Sequence, residues 1–267
     1  MNSIQYGDLY LELLKKTILF EIWYEYESYF PFPTAEENSA DVQYVKQVQA
    51  VTTDVNRRKY GLDWPILAHS MIGRTRLNQL HQAMQTVLDE KIEGDFIETG
   101  VWRGGACVFM RGFLKNYNIL DRKVWVADSF EGLPMPNAEK YPVDKNDILY
   151  KFNYLSVSLE DVKRNFEKFD LLDEQVMFLK GWFKDTLPVA PINKVAIARL
   201  DGDMYESTMD SLTNLYDKVS PGGFIIIDDY SLYTCKTAVT DFRRDRNIND
   251  PLQNIDQCSV FWRKSKV

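Results

Sequence analysis

Three carboxylates stand where two apolar runs end. Asp201 follows Val195-Ala-Ile-Ala-Arg-Leu200, and Asp228 and Asp229 follow Phe224-Ile-Ile-Ile227. Both runs read as buried strands, and the carboxyl ends of neighbouring parallel strands share one edge of a sheet. The three acids are therefore expected to converge, and unpaired they would repel. A hard divalent cation such as Mg²⁺ resolves the repulsion, because it prefers oxygen ligands and keeps positions for water or substrate. Helix capping and ion pairing are the structural alternative. With no cluster of His or Cys in competition, zinc is disfavoured.

A second chemical stretch is Asp95-Phe-Ile-Glu-Thr-Gly-Val-Trp-Arg-Gly-Gly-Ala106. It reads as a strand, a glycine turn and a helix whose apolar face carries Cys107, Met110, Phe113, Leu114 and Tyr117. Such a turn aims backbone N–H groups at a ligand beyond the strand end. The spacing of Glu98, Gly100 and Gly104 is not that of the dinucleotide fingerprint. An acidic turn suits a cationic ligand, and S-adenosylmethionine is one. Asp128 ends the next apolar run, Lys123-Val-Trp-Val-Ala-Asp128, where an acid accepts hydrogen bonds from ribose hydroxyls. Trp182, in Gly181-Trp-Phe-Lys-Asp185, could stack on adenine, although a buried aromatic is nearly as good a reading. The two histidines, His69 and His81, fall on the helix expected before the first strand, where packing or surface is the usual role of such a residue, and His69 is kept as a candidate for catalysis.

Strands and helices that alternate in this way predict an α/β fold with a mostly parallel central sheet wound on both faces. The spacing of Leu9, Leu13, Ile18 and Ile22 predicts an N-terminal helix broken by Pro31 and Pro33, and an amphipathic helix is expected over 68–90. Residues 1–67 are thus expected to be a helical, aromatic extension, either a lid or an oligomer contact, before a main domain over 68–267. Pro221-Gly-Gly223 is expected to turn the chain, 134–154 to be a long loop over the cleft, and Ser158 to cap a helix. The 267 residues suffice for one large core. Only three cysteines occur, and a net charge of −7 argues against nucleic acid as partner. No basic, apolar leader or membrane-length apolar run is present, so the expected place is the cytoplasm.

Five ordered blocks carry a resemblance: Ile97–Ala106, Val126–Pro134, Gly181–Pro188, Arg199–Thr208 and Gly222–Tyr230. Together they resemble the macrocin O-methyltransferase family, which includes the mycinamicin and noviose sugar methyltransferases of antibiotic biosynthesis. The likeness runs over roughly 65–263, and 1–60 is the least family-like part. It implies a Rossmann-like class I fold, S-adenosyl-L-methionine and Mg²⁺ as cofactors, a sugar or glycoside acceptor and a homo-oligomer. Carried over by position, Glu98, Thr99, Gly100, Arg103, Gly104, Asp128, Ser129, Gly181 and Trp182 are the cofactor-binding set. Asp201, Asp228 and Asp229 are the metal ligands. In the distantly similar catechol O-methyltransferases a lysine soon after the first metal aspartate is the base, and Asp201-Gly-Asp-Met-Tyr205 offers none.

A sugar hydroxyl is barely ionised at neutral pH, so catalysis has to align it and remove its proton. Chelation of adjacent hydroxyls by the metal would do both, with Asp201 as proton acceptor and His69 as second choice. Methylation of a catechol-like diol is the enzymatic alternative. A non-catalytic, S-adenosylmethionine-binding oligomeric module is the other class of reading, and a pure binding module has no need to hold repelling aspartates together.

Overall fold

A computed structural model describes residues 3–30 and 51–265. Its centre is a seven-stranded sheet, built on β4 (Asp95–Thr99), β5 (Val124–Asp128), β6 (Val176–Lys180), β7 (Val195–Leu200), β8 (Val219–Ile227), β9 (Gln253–Asn254) and β10 (Val260–Arg263). The order is β6-β5-β4-β7-β8-β10-β9. The first five run parallel, whereas β10 is antiparallel to both β8 and β9. Between β9 and β10 the connection is too short for a crossover, which leaves an antiparallel return as the available geometry. Chain direction reverses its order of travel at β4, with β5 on one side and β7 on the other, and that switch point is where open α/β sheets bind ligands.

Alternation of side chains gives the sheet two apolar faces. Phe96, Val124, Val126, Phe224 and Ile226 belong to one core, and Ile97, Trp125, Ala127, Ile225 and Ile227 to the other. The first core is covered by α1 (Ser3–Ile18), α3 (Gly73–Asp89), α4 (Gly105–Asn116) and α5 (Leu159–Lys168). The second is covered by α7 (Tyr205–Leu215) and α8 (Tyr233–Asp245), with the single turn α6 (Phe183–Thr186) beside them. Ser158 caps α5 as its spacing predicts, accepting from the Asp161 amide at 3.1 Å. No helix among the described residues is long and apolar enough to cross a membrane.

Three local expectations change. The N-terminal helix stops at Ile18, because Phe20 adopts a left-handed backbone (φ 59°) before a short 3-10 turn; the prolines expected to break it lie outside the described residues. The helix expected from residue 68 begins at Gly73, and residues 66–72 before it are bends and irregular chain. Pro221-Gly-Gly223 does not turn the chain: β8 runs through it, and four residues bulge out while Val195 pairs with Val219 and Ile197 with Phe224.

Residues 3–30 and 51–65 do not stand apart from the main body. Leu11, Leu14, Ile18 and Leu19 lie in the first core, and Leu14 occupies the space that a side chain at Gly112 of α4 would need. A small antiparallel sheet joins β1 (Ser28–Phe30) to β2 (Val51–Thr52) and β3 (Trp64–Pro65), with α2 (Val55–Lys59) following β2. Buried Glu27 clasps this layer to the chain beyond it. Its carboxylate accepts from the amides of Ser28 (3.0 Å), Ile66 (3.0 Å), Leu67 (2.9 Å) and Ala68 (2.8 Å).

Candidate active site

The carboxyl ends of β4, β5 and β7 open into one cavity, lined by Gly100, Trp102, Asp128, Ser129, Trp182 and Asp201 among others. Gly100 is required where it stands. Its φ is 83°, and a Cβ there would overlap the Asp201 carbonyl, so the β4 and β7 strand ends touch only through glycine. Asp128 has no cation partner among the described residues. Instead its Oδ2 accepts from the Val101 amide at 2.7 Å and its Oδ1 from the Phe130 amide at 2.7 Å, which fixes the turns after β4 and β5. Burial raises its carboxyl, and those amides pull the other way. Ser129 holds the same turn, donating to the Gly132 carbonyl at 2.7 Å.

A second cavity lies beyond the β7 and β8 ends. Its walls are apolar at Trp64, Leu149, Phe152 and Leu232 and acidic at Asp228 and Asp229. Asp201, Asp203, Met71 and Leu155 line both cavities, so the two meet there.

One oxygen from each of Asp201, Asp203 and Asp229 lies within a span of 4.8 Å. Asp203 is a non-glycine residue in left-handed backbone (φ 54°), and its amide donates to Asp229 Oδ2 at 3.1 Å. Conformations of that kind persist where the surroundings impose them, and they gather at functional sites. The three carboxylates are open to the cavities but enclosed by protein. Burial pushes all three above the ordinary carboxylate range; Asp228 adds to this at Asp201, and Asp201 adds to it at Asp203 and Asp229. Among the described residues, only Asp201 of the three has a cation, Arg199 at 2.9 Å.

Asp228 behaves differently. Its two oxygens are taken by Arg199 and, at 2.7 Å, by Arg76. Burial opposes its charge, but these two guanidiniums outweigh it and hold the carboxyl below the ordinary range. Arg76 also binds Asp256 at 2.8 Å, and Arg199, buried in mid-strand, pairs in addition with Glu98. A chain of buried charge therefore runs beneath the strand ends.

The other expected residues divide around this geometry. Glu98 lies under the cavity rather than in it, its oxygens on Arg199 and on the Cys107 thiol at 2.9 Å. Thr99 is buried against the Ser211 hydroxyl at 3.2 Å. Arg103 reaches away from the cavity, donating to the carbonyls of Ile66 (2.8 Å) and Ala68 (2.9 Å) and stacking 4.1 Å over the Trp102 ring. Gly104 starts α4 in left-handed backbone, and Gly181 (φ 138°) turns the chain so that Trp182 faces the cavity. His69 lines neither cavity: its ring meets Phe169 edge-on, 5.3 Å between centroids. Burial, helped by Lys168 and Arg103, pushes the imidazole down to about 4, so it is neutral in ordinary buffers.

Sequence reasoning passed over Asp203, Trp102 and Arg199. A third acid in Asp201-Gly-Asp203 was a usable signal, since a glycine between two acids at a strand end lets both face one point. Trp102, inside the glycine turn with φ 48°, and Arg199, a cation in an otherwise apolar strand, were likewise visible as exceptions to their local pattern.

The chain is similar to characterised methyltransferases over nearly its whole length. The family model described as Macrocin-O-methyltransferase (TylF) matches residues 7–264. A relative from Streptomyces olivaceus, 8-demethyl-8-(2,3-dimethoxy-alpha-L-rhamnosyl)-tetracenomycin-C 4'-O-methyltransferase, is 47% identical over 96% of this chain and 92% of its own. Demethyldecarbamoylnovobiocin O-methyltransferase of Streptomyces niveus is 46% identical over 97% of this chain and 95% of its own. Among solved structures, the O-methyltransferase NovP superposes with a TM-score of 0.85 at 44% identity, covering 97% of this chain and 100% of that one. The calicheamicin methyltransferase CalS11 shares the fold, with a TM-score of 0.61 at 18% identity over 88% of this chain and 95% of that one.

Proposed function

The chain belongs to the macrocin O-methyltransferase family, and from that premise we propose that it moves a methyl group from S-adenosylmethionine to a hydroxyl of a deoxysugar carried by a natural product, with a divalent metal such as Mg²⁺. One observation carries the reading: the cavity at the switch point and the apolar, acidic cavity beside it meet at Asp201 and Asp203. The names of the relatives, which act on rhamnosyl-tetracenomycin and novobiocin precursors, support a glycoside as the acceptor.

In the first cavity Gly100 would leave room for the cofactor against the backbone, Asp128 and Ser129 would hold its ribose, and Trp182 would offer a stacking plane. S-adenosylmethionine, when bound, supplies a methyl already activated on a sulfonium. Residues present also fit a divalent ion: three converging oxygens, two of them on acids without a cation partner among the described residues, are a hard-ligand set. Asp201 and Asp229 would hold it, with Asp228 steadied beside them by Arg76 and Arg199. Such an ion, when bound, lowers the pKa of an acceptor hydroxyl. Asp203 takes the proton at its carboxylate oxygen in preference to Asp201: both line the two cavities, but Asp201 is already engaged by Arg199 whereas Asp203 has no cation partner among the described residues. The acceptor oxygen gains the methyl, and a methyl ether and S-adenosylhomocysteine leave. Trp64, Phe152 and Leu149 hold the apolar part of the acceptor and keep water from the junction.

The test is methyl transfer from labelled cofactor to demethyldecarbamoylnovobiocin, mycinamicin III and a simple catechol, before and after EDTA. Label is expected in a glycoside, lost on chelation and restored by Mg²⁺. Full activity in EDTA removes the metal from the reading. Transfer to catechol alone replaces the acceptor class, and cofactor binding without any transfer supports the non-catalytic module.

A further inference from the structure

Asp144 is fully buried in the 134–155 segment, residues of which line both cavities. Among the described residues its carboxylate makes no ion pair. Both oxygens are spent on backbone: Oδ1 accepts from the Tyr205 amide at 2.7 Å and Oδ2 from the Glu206 amide at 3.0 Å. Those are the first two residues of α7, whose own N-cap residue, Met204, provides no side-chain cap. A helix start normally finds its acceptor just upstream in sequence. Here the acceptor comes from across the cleft, 61 residues away from Tyr205.

The location couples two working parts. Asp203 immediately precedes Met204, so whatever fixes the α7 start also fixes the left-handed turn at Asp203. On the other side, Lys145, Asn146 and Asp147 follow Asp144 directly and line the second cavity. Tyr141 reinforces the contact, its ring 5.7 Å from that of Tyr205. The far end of the segment is anchored separately: the Tyr154 ring stacks on Trp64 at 5.2 Å, and its carbonyl accepts from the Trp102 indole at 3.0 Å.

We propose that Asp144 is a positioning residue, which pins the middle of the 134–155 strap to the Asp201–Asp203 turn so that the acceptor wall and the proton acceptor keep a fixed distance. Of the two anchors described, this one holds the start of α7 directly after the turn. The kinetic consequence rests on the methyl-transfer reading above; the mechanical one does not.

The test compares the full-length protein with Asp144→Asn, which keeps the shape but sets an amide N–H₂ against a helix N–H. Amide exchange read by mass spectrometry should speed up about 10–100-fold in peptides covering 138–150, the worth of one hydrogen bond to a charged acceptor, with β4 and β7 unchanged. With demethyldecarbamoylnovobiocin as acceptor, its KM should rise about tenfold and kcat should fall, while the affinity for S-adenosylhomocysteine stays within about threefold. A purely structural cap would lower the folded fraction and leave the acceptor KM alone. If Asp144→Asn fails to fold, Tyr141→Ala leaves the cap intact and should loosen the same peptides by a smaller factor. Wild-type exchange in the strap of whichever variant folds overturns the proposal, and so does faster exchange with an unchanged acceptor KM. A loosened strap in a protein that methylates no glycoside refutes the methyl-transfer reading and leaves the pinning in place.

Discussion

Asp128 and the pair Asp203 and Asp229 are enclosed acids at the same edge of one sheet, yet their charges are met in opposite ways. Each oxygen of Asp128 has a backbone amide, whereas the Asp229 carboxylate accepts the amide of Asp203 and neither of the two acids has a cation partner among the described residues. An acid satisfied by amides belongs to the fold and is ready for a polar, uncharged ligand. Acids left to repel one another weaken the fold until a cation or a proton arrives. The acid of the first cavity is thus satisfied by the fold itself, whereas those of the second are left beside one another.

Damage to both halves together should produce the largest effect. Gly100→Ala places a methyl against the Asp201 carbonyl at φ 83° and should cost about 1–3 kcal/mol of stability, with cofactor binding and turnover lost together; thermal unfolding and calorimetry would show it. Next comes a change confined to the second cavity. Asp203→Asn should lower kcat about 10²–10⁴-fold while cofactor affinity holds within a few-fold, and a mutant with wild-type kcat would return the proton to Asp201. Asp128→Ala should reverse that pattern, raising the dissociation constant for S-adenosylhomocysteine about 10–100-fold at unchanged metal dependence. It also frees the Val101 and Phe130 amides, so a modest fall in melting temperature should accompany it. The smallest effect belongs to Trp182→Leu, about 2–10-fold in the same constant if the ring stacks on adenine, and none if it only fills space.

What could be read from the sequence was whatever depends on near neighbours. Apolar runs ending in acids marked the strands and their order of use, and the glycine turn marked the switch point. Pro221-Gly-Gly223 misled because those residue types serve a bulge as well as a turn, and only the partner strand, with Val195 and Ile197 in register, tells the two apart. Charge pairing was not legible either. Glu98 meets Arg199 across 101 residues, and Asp228 meets it across 29, so their engagement by a buried cation follows from the packing alone. The place of the His69 ring was hidden for the same reason: the packing puts its backbone carbonyl, which accepts from the Gly105 amide at 3.0 Å, beside the turn, while the ring lines neither cavity.

The burial of α1 bears on how the chain comes into being. Helix α1, with the residue after it, carries Leu11, Leu14, Ile18 and Leu19, and elements that cover them follow it in the chain: Asn78 on α3 lies 63 residues beyond its partner Lys15, and Gly112 on α4 later still. Long-range contacts of this kind form slowly, and apolar surface waiting for them is prone to aggregation. Removal of residues 1–60 would therefore strip one side of the core and release the Glu27 clasp, so the shortened protein should come out insoluble or molten rather than as a trimmed enzyme. The same dependence makes α1 a poor place for a bulky insertion.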